Sequence, residues 1–197
     1  MAGRIQFWFE FASTYSYLSA MRIEEDAARL GVAVDWQPFL LGPIFAAQGW
    51  NTSPFNLYPV KGRYMWRDME RLCALQGLPF QRPEVFPQNG LTAARLALVA
   101  KQHDRIAPFT RAVYSAQFGR GLAITDAGVL TECWQSAGLD VALMDNGRSP
   151  ETKAALREQS DQARELELFG APSFIAGDEL YWGDDRLDQA LDAAAKL

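Results

Sequence analysis

The spacing of apolar positions changes period several times along the chain. Residues 4–11, "RIQFWFEF", are aromatic and branched and run straight into helix-start residues, which predicts a strand. Residues 16–30 place Leu18, Met21, Ile23, Ala27 and Leu30 at helical spacing, with Gly31 as the stop. "VAVDWQPFL" then predicts a second strand. Two strands joined through one helix form a βαβ unit with parallel strands.

The period is lost over residues 41–60, where "LLGPIFAAQGWNTSPFNLYP" mixes Gly, Pro, Asn and aromatic residues. A loop of that length in a compact domain is functional or disordered, and its aromatics argue against disorder, so it is expected to be an ordered, ligand-facing loop. Five helical segments follow: "VKGRYMWRDMERLCALQG", "LTAARLALVAKQHD", "APFTRAVYSAQFG", "TDAGVLTECWQSAG" and "SPETKAALREQSDQARELELFG". Thr125-Asp126 and Ser149-Pro150-Glu151 are start signals, and Gly170 closes the last segment. The tail, "APSFIAGDELYWGDDRLDQALDAAAKL", reads as strand, Gly-Asp turn, strand, Gly-Asp turn, helix. The order is therefore βαβ, a block of helices, then ββα. Residues 1–40 and 166–197 are expected to form one α/β unit, with residues 41–165 inserted as an all-helical block.

Composition narrows the function classes. At 197 residues with 49% hydrophobic content, the chain buries enough surface to need no disulfide or metal staple. No apolar run approaches the ~20 residues of a membrane span. The beginning of the chain reaches Glu10 before a signal-peptide core can form, so a soluble cytoplasmic protein is expected. A net charge of −5 with scattered arginines argues against a nucleic-acid partner. Cys73 and Cys133 are isolated within helical patterns and read as small core hydrophobes. The single histidine, His103, sits in the polar stretch "KQHDR" and reads as a surface residue, leaving neither a zinc site nor a Ser-His-Asp triad.

The chemistry-bearing candidate is "EFASTYSYL", where a strand meets a helix. Helix N-termini present unpaired N–H donors and a positive partial charge, which favour an anion. Ser13 at this join is either an N-cap worth about 1 kcal/mol or a donor to a bound anion. Ser16 reads as a helix-start residue.

The element order resembles thioredoxin with the helical insertion of the DsbA type. Ser13-Thr14-Tyr15-Ser16 stands where such proteins keep Cys-x-x-Cys, which excludes dithiol exchange, because hydroxyls form no disulfide. The pattern Phe-x-Phe-x-Ser-x-x-Ser-Tyr, with "NTSPFNLYPVKGRYMWRD" and "FGAPSFIAGDELYWGDDRL", resembles the kappa-class glutathione transferases and the 2-hydroxychromene-2-carboxylate isomerases. The resemblance implies a glutathione cofactor whose thiolate accepts a hydrogen bond from Ser13. It implies a cis-Pro172, with the Ala171 backbone exchanging strand-like hydrogen bonds with the cysteinyl part. The turn Trp182-Gly183-Asp184-Asp185 would take the γ-glutamyl end, with Asp185 favoured for the ammonium; Gly-Asp-Asp also suits an Asp N-cap for the last helix. Asn51 would contact glutathione. Lys61 and Arg63 would pair with the glycyl carboxylate or with a carboxylate on the substrate. Phe45, Trp50, Phe55, Tyr58 and Tyr64 would supply the apolar wall of a second pocket, or core. The stretch "FPQNGLTAAR", with Asn89 and Arg95, is more apolar than its counterpart in the naphthalene-pathway isomerases.

The expected activity is glutathione-dependent interconversion of 2-hydroxychromene-2-carboxylate and trans-o-hydroxybenzylidenepyruvate in aromatic catabolism. The expected partner is a small aromatic carboxylate, and the expected assembly a homodimer. A kappa-like transferase conjugating glutathione to electrophiles is the alternative within the fold. A non-catalytic DsbA-shaped binding protein is the alternative outside enzymes.

Overall fold

A computed structural model describes residues 3–197. Its strands are β1 (Arg4–Phe9), β2 (Ala33–Pro38), β3 (Ser173–Ala176) and β4 (Glu179–Trp182). They form one sheet in the order β2-β1-β3-β4, with β1 parallel to β2 and the other pairings antiparallel. This is the βαβ plus ββα arrangement that the period changes predict. Helix α1 (Thr14–Arg29) crosses from β1 to β2. The block between β2 and β3 holds α2 (Leu41–Ala47), α3 (Pro54–Leu57), α4 (Pro59–Gln76), α5 (Leu91–Gln102), α6 (Ile106–Tyr114), α7 (Ala127–Ser136) and α8 (Pro150–Glu165). Helix α9 (Leu187–Ala194) closes the chain's last unit.

β1 is hydrophobic on both faces because both are covered. Ile5, Phe7 and Phe9 enter a large cluster with residues such as Trp36, Phe109, Tyr114 and Phe118. Trp8 points the other way, into a smaller cluster with Phe39, Leu41, Ile44, Ala163 and Leu168. Alternation along a strand sends successive side chains to opposite faces, so one strand organises both layers. The larger cluster runs unbroken from the sheet into the helical block. Cys73 and Cys133 are buried, and burial pushes both thiols up to about 11, in keeping with core roles. His103 is exposed.

The helix signals correspond to real caps. Asp126 accepts from Gly128 N and Val129 N, and Ser149 accepts from Thr152 N with Pro150 next in the chain. Two expectations need correction. Residues 41–60 are not an aperiodic loop: α2 and α3 occupy much of the segment. α2 buries only Leu41 and Ile44 and α3 buries nothing, so neither is long or amphipathic enough to show a period. The last helix also lacks an aspartate cap. Gly183 occupies the cap position of a short 3₁₀ turn, Asp184–Arg186, with no side-chain cap bond, and α9 follows it.

A glycine fixes the meeting of α3 and α4. A Cβ on Gly62 would lie 2.2 Å from the Phe55 carbonyl oxygen, which is backbone and cannot swing aside. Alanine is the better helix former by about 1 kcal/mol. Gly62→Ala is nevertheless expected to destabilise the fold by about 1–3 kcal/mol through overpacking, measured by urea unfolding. A neutral or stabilised variant would refute that reading of the contact.

Candidate functional site

β1 ends at Phe9, and after three intervening residues the chain enters α1 through Ser13. Ser13 N donates to the Glu10 carbonyl at 2.9 Å, which closes this turn. Ser13 has extended backbone geometry, φ −80° and ψ 118°, and its Oγ accepts from Ser16 N at 3.2 Å. It is thus an N-cap in fact. The same hydroxyl donates to the Ala171 carbonyl at 2.8 Å across 158 residues of sequence. The Ala171–Pro172 peptide is cis. Because Trp8 pairs with Ser173, β3 delivers Ala171 to the helix start. Three of the expected residues, Ser13, Ala171 and Pro172, therefore meet.

The turn after β4 joins them. Gly183 N donates to the Pro172 carbonyl at 2.9 Å. Gly183 has φ 105°, a conformation that side chains strongly disfavour. Trp182, half-exposed, lays its indole over Gly170, where a Cβ would lie 2.3 Å from Nε1, and meets the Phe169 ring at 5.0 Å.

The two aspartates divide sharply. Asp184 is buried; its Oδ1 accepts from Ser19 Oγ at 2.7 Å and faces Arg22 Nε at 3.6 Å. Arg22 also donates to the Asp184 carbonyl at 3.0 Å and pairs with Asp26 and Asp188. Burial raises the Asp184 carboxyl, opposed by the Ser19 and Arg22 contacts. Asp184 therefore ties the turn to α1, whereas Asp185 is exposed and, among the described residues, forms its ion pair with Arg186, at 3.1 Å.

The remaining candidates lie on the helical side. Asn51 is exposed between α2 and α3. Lys61 and Arg63 are exposed on the first turns of α4, and Lys61 Nζ stands 5.8 Å from the Phe55 ring centroid. The five wall aromatics separate: Phe45 packs on the smaller cluster with Trp50 at 5.6 Å, Phe55 packs on the larger one, and Tyr58 and Tyr64 are exposed. Asn89 serves the start of α5, its Oδ1 accepting from Leu91 N at 3.0 Å. Arg95 is half-buried, with a buried Nε that meets no hydrogen-bond partner among the described residues. Among the described residues no His, Cys, Asp and Glu group has metal-ligand geometry, and no helix is long and apolar enough to cross a membrane.

Two features escaped the sequence reading. Tyr15 donates to Asp68 Oδ2 at 2.9 Å, a contact spanning 53 positions that no local pattern reveals. Glu10 is buried at the end of β1, with Tyr114 donating to its carbonyl at 2.8 Å. Burial raises its carboxyl to about 7, against the lowering effect of the Ala12 N–H. A carboxylate between Phe9 and Phe11, directly after an aromatic run, was the available signal.

The DSBA-like thioredoxin domain profile matches residues 4–195. The chain belongs to the DsbA-like thioredoxin domain family. A 2-hydroxychromene-2-carboxylate isomerase of Sphingobium xenophagum is 33% identical, covering 95% of this chain and 96% of that protein. A solved structure of a 2-hydroxychromene-2-carboxylate isomerase superposes with a TM-score of 0.87 at 26% identity, covering 98% of this chain and 95% of that one. A glutathione S-transferase kappa 2 of Caenorhabditis elegans is 22% identical over 98% of this chain and 92% of its own.

Glu10 yields a stability test. The folded chain holds a proton up to about pH 7 that the unfolded chain releases near its ordinary value of 4.5. Stability is therefore expected to fall as pH rises between those values and to level off above them. Urea unfolding at pH 5 and pH 8 is expected to show this difference in the wild type and a smaller one in Glu10→Gln. An equal difference in both proteins would exclude Glu10 as its source.

Proposed function

We propose that the chain is a glutathione-dependent isomerase interconverting 2-hydroxychromene-2-carboxylate and trans-o-hydroxybenzylidenepyruvate. The observation that carries the reading is the hydrogen bond from Ser13 Oγ to the Ala171 carbonyl at 2.8 Å. It pairs a donor at a helix N-terminus with an acceptor preceding the cis-proline. A cysteinyl group bearing a thiolate and an amide N–H matches both. Ser13 turns its proton toward the sulfur as Ala171 takes the amide, so each loses one partner and gains another. Relatives named for this isomerase activity support the substrate assignment.

The other residues fit the remaining groups of the tripeptide. Asp185, exposed and turned away from the Asp184 anchor, offers a carboxylate to the γ-glutamyl ammonium. Backbone N–H groups from Trp182 onward, other than that of Gly183, which the Pro172 carbonyl holds, face the α-carboxylate. Lys61 supplies a cation for the glycyl carboxylate, and Asn51 an amide. Bound glutathione would supply a soft nucleophile that neither buried cysteine provides. The part of Ser13 is to hold the sulfur as its anion: hydrogen bonding to the charged form lowers a thiol's pKa from about 8.5.

The kappa-type transferase reading uses the same site and is supported by the Caenorhabditis elegans relative. Retention of the glutathionyl group in the product separates it from the isomerase.

Ser13→Ala is expected to lower turnover of the chromene carboxylate by roughly a hundredfold, the scale seen when one preorganised donor is lost. Glutathione affinity should change far less. Turnover equal to the wild type would end the proposed role. The two aspartates are expected to fail differently. Saturating glutathione at a hundred times its Kd adds about 2.7 kcal/mol, on the order of 5–10 °C in Tm for a chain of this size. Asp185→Ala should lose much of that shift while melting near the wild type without ligand. Asp184→Ala should melt lower in both conditions. The same loss of ligand shift in both variants, with no unliganded difference, would contradict this division.

A further inference from the structure

We propose that Tyr15 is a positioning residue that holds the helical wall bearing Lys61 at a set place beside Ser13. The inference rests on the glutathione reading above and adds to it a residue that the reading does not use.

Tyr15 lies two residues beyond Ser13 on the first turn of α1. Its phenol donates to Asp68 Oδ2 on α4 at 2.9 Å. Its ring meets the Phe55 ring of α3 at 6.3 Å with a 47° tilt. One side chain thus grips both helices of the wall. Phe55 passes the constraint on. Its ring carries Lys61 Nζ at 5.8 Å, within cation–π range, and its carbonyl presses on the start of α4 where only Gly62 fits. Thr14 adds a parallel contact, its hydroxyl reaching Met65 Sδ at 3.2 Å. Lys61 has no ion-pair partner among the described residues, so Phe55 is the contact that directs it.

Burial, and after it the Asp68 carboxylate, push the Tyr15 phenol upward, so it remains a donor throughout the working range. A hydrogen bond to a charged group is stronger than a neutral one, and Asp68 lies half-buried, where water competes poorly. The sequence places a hydroxyl here without advertising it: Tyr15 is the third residue of "STYS", the position a Cys-x-x-Cys motif leaves free to vary.

The test is calorimetric titration of glutathione into wild type, Tyr15→Phe, Lys61→Ala and the double variant. Tyr15→Phe keeps the ring and removes only the bond to Asp68. It is expected to weaken glutathione roughly tenfold, the lower end of the scale of one charge-assisted hydrogen bond. Lys61→Ala is expected to weaken it as well. The double variant should bind no more weakly than Lys61→Ala alone, because Tyr15 acts through Lys61. The pKa of the bound thiol, read from thiolate absorbance, should stay at the wild-type value in Tyr15→Phe and rise in Ser13→Ala. Wild-type affinity in Tyr15→Phe, or in Lys61→Ala, overturns the inference, as does an additive loss in the double variant. A wild type that does not bind glutathione overturns the reading beneath it as well, and is told apart by that first titration. Should Tyr15→Phe fold poorly by thermal melting, Asp68→Asn removes the charged acceptor from the same bond and is judged by the same outcomes.

Discussion

The site exists because β1 and β3 pair antiparallel. Their register, from Ile5 opposite Ala176 to Trp8 opposite Ser173, brings the second half of the chain back against the first. It ends where the Ala171 carbonyl meets the Ser13 hydroxyl. A slip of one residue would turn every side chain of β3 to the opposite face and carry Ala171 away from the helix start. Burial holds the register: Ile5, Phe7 and Phe174 lie in one cluster and Trp8 in the other, so no shifted pairing leaves both clusters filled. Packing on the two faces of one strand is therefore what aligns a helix N-terminus with a peptide carbonyl.

Much of this was legible in the chain because the signals were local. The strand at residues 4–11, the helix closed by Gly31 and the caps at Asp126 and Ser149 are each written within a few positions. Residues 41–60 were not legible, since α2 and α3 are shorter than the window in which a period can be told from chance. The aspartates were half legible. Two adjacent carboxylates look alike in a sequence, and only the phase of the Asp184–Arg186 turn decides which faces Ser19 and Arg22. Tyr15 and Asp68 could not be paired at all, since their contact depends on how α4 docks against α1.

Polar groups around the site are arranged by division of work. Ser13 caps α1 and offers its proton to Ala171 with a single hydroxyl, which serves as acceptor and donor at once. Asp184 spends its charge inside the protein, and Asp185 is left outside. Glu10 is kept beneath the turn by Tyr114 and the Ala12 amide, in a setting that favours its neutral form. Burial thereby disfavours a negative charge at this end of β1.

The anchoring of Asp184 to α1 reaches further than the turn it steadies. Ser13 and Ser19 stand on the same helix, so the two ends of the site are separated by a length of α1. Six residues at 1.5 Å each make that length about 9 Å, and a hydrogen-bonded helix barely stretches. α1 acts as a ruler. On the glutathione reading proposed above, a peptide one residue longer extends by about 3.4 Å and would not meet both marks. On that reading the fold would measure its ligand along one stiff rod, and size selection would need no closed cavity.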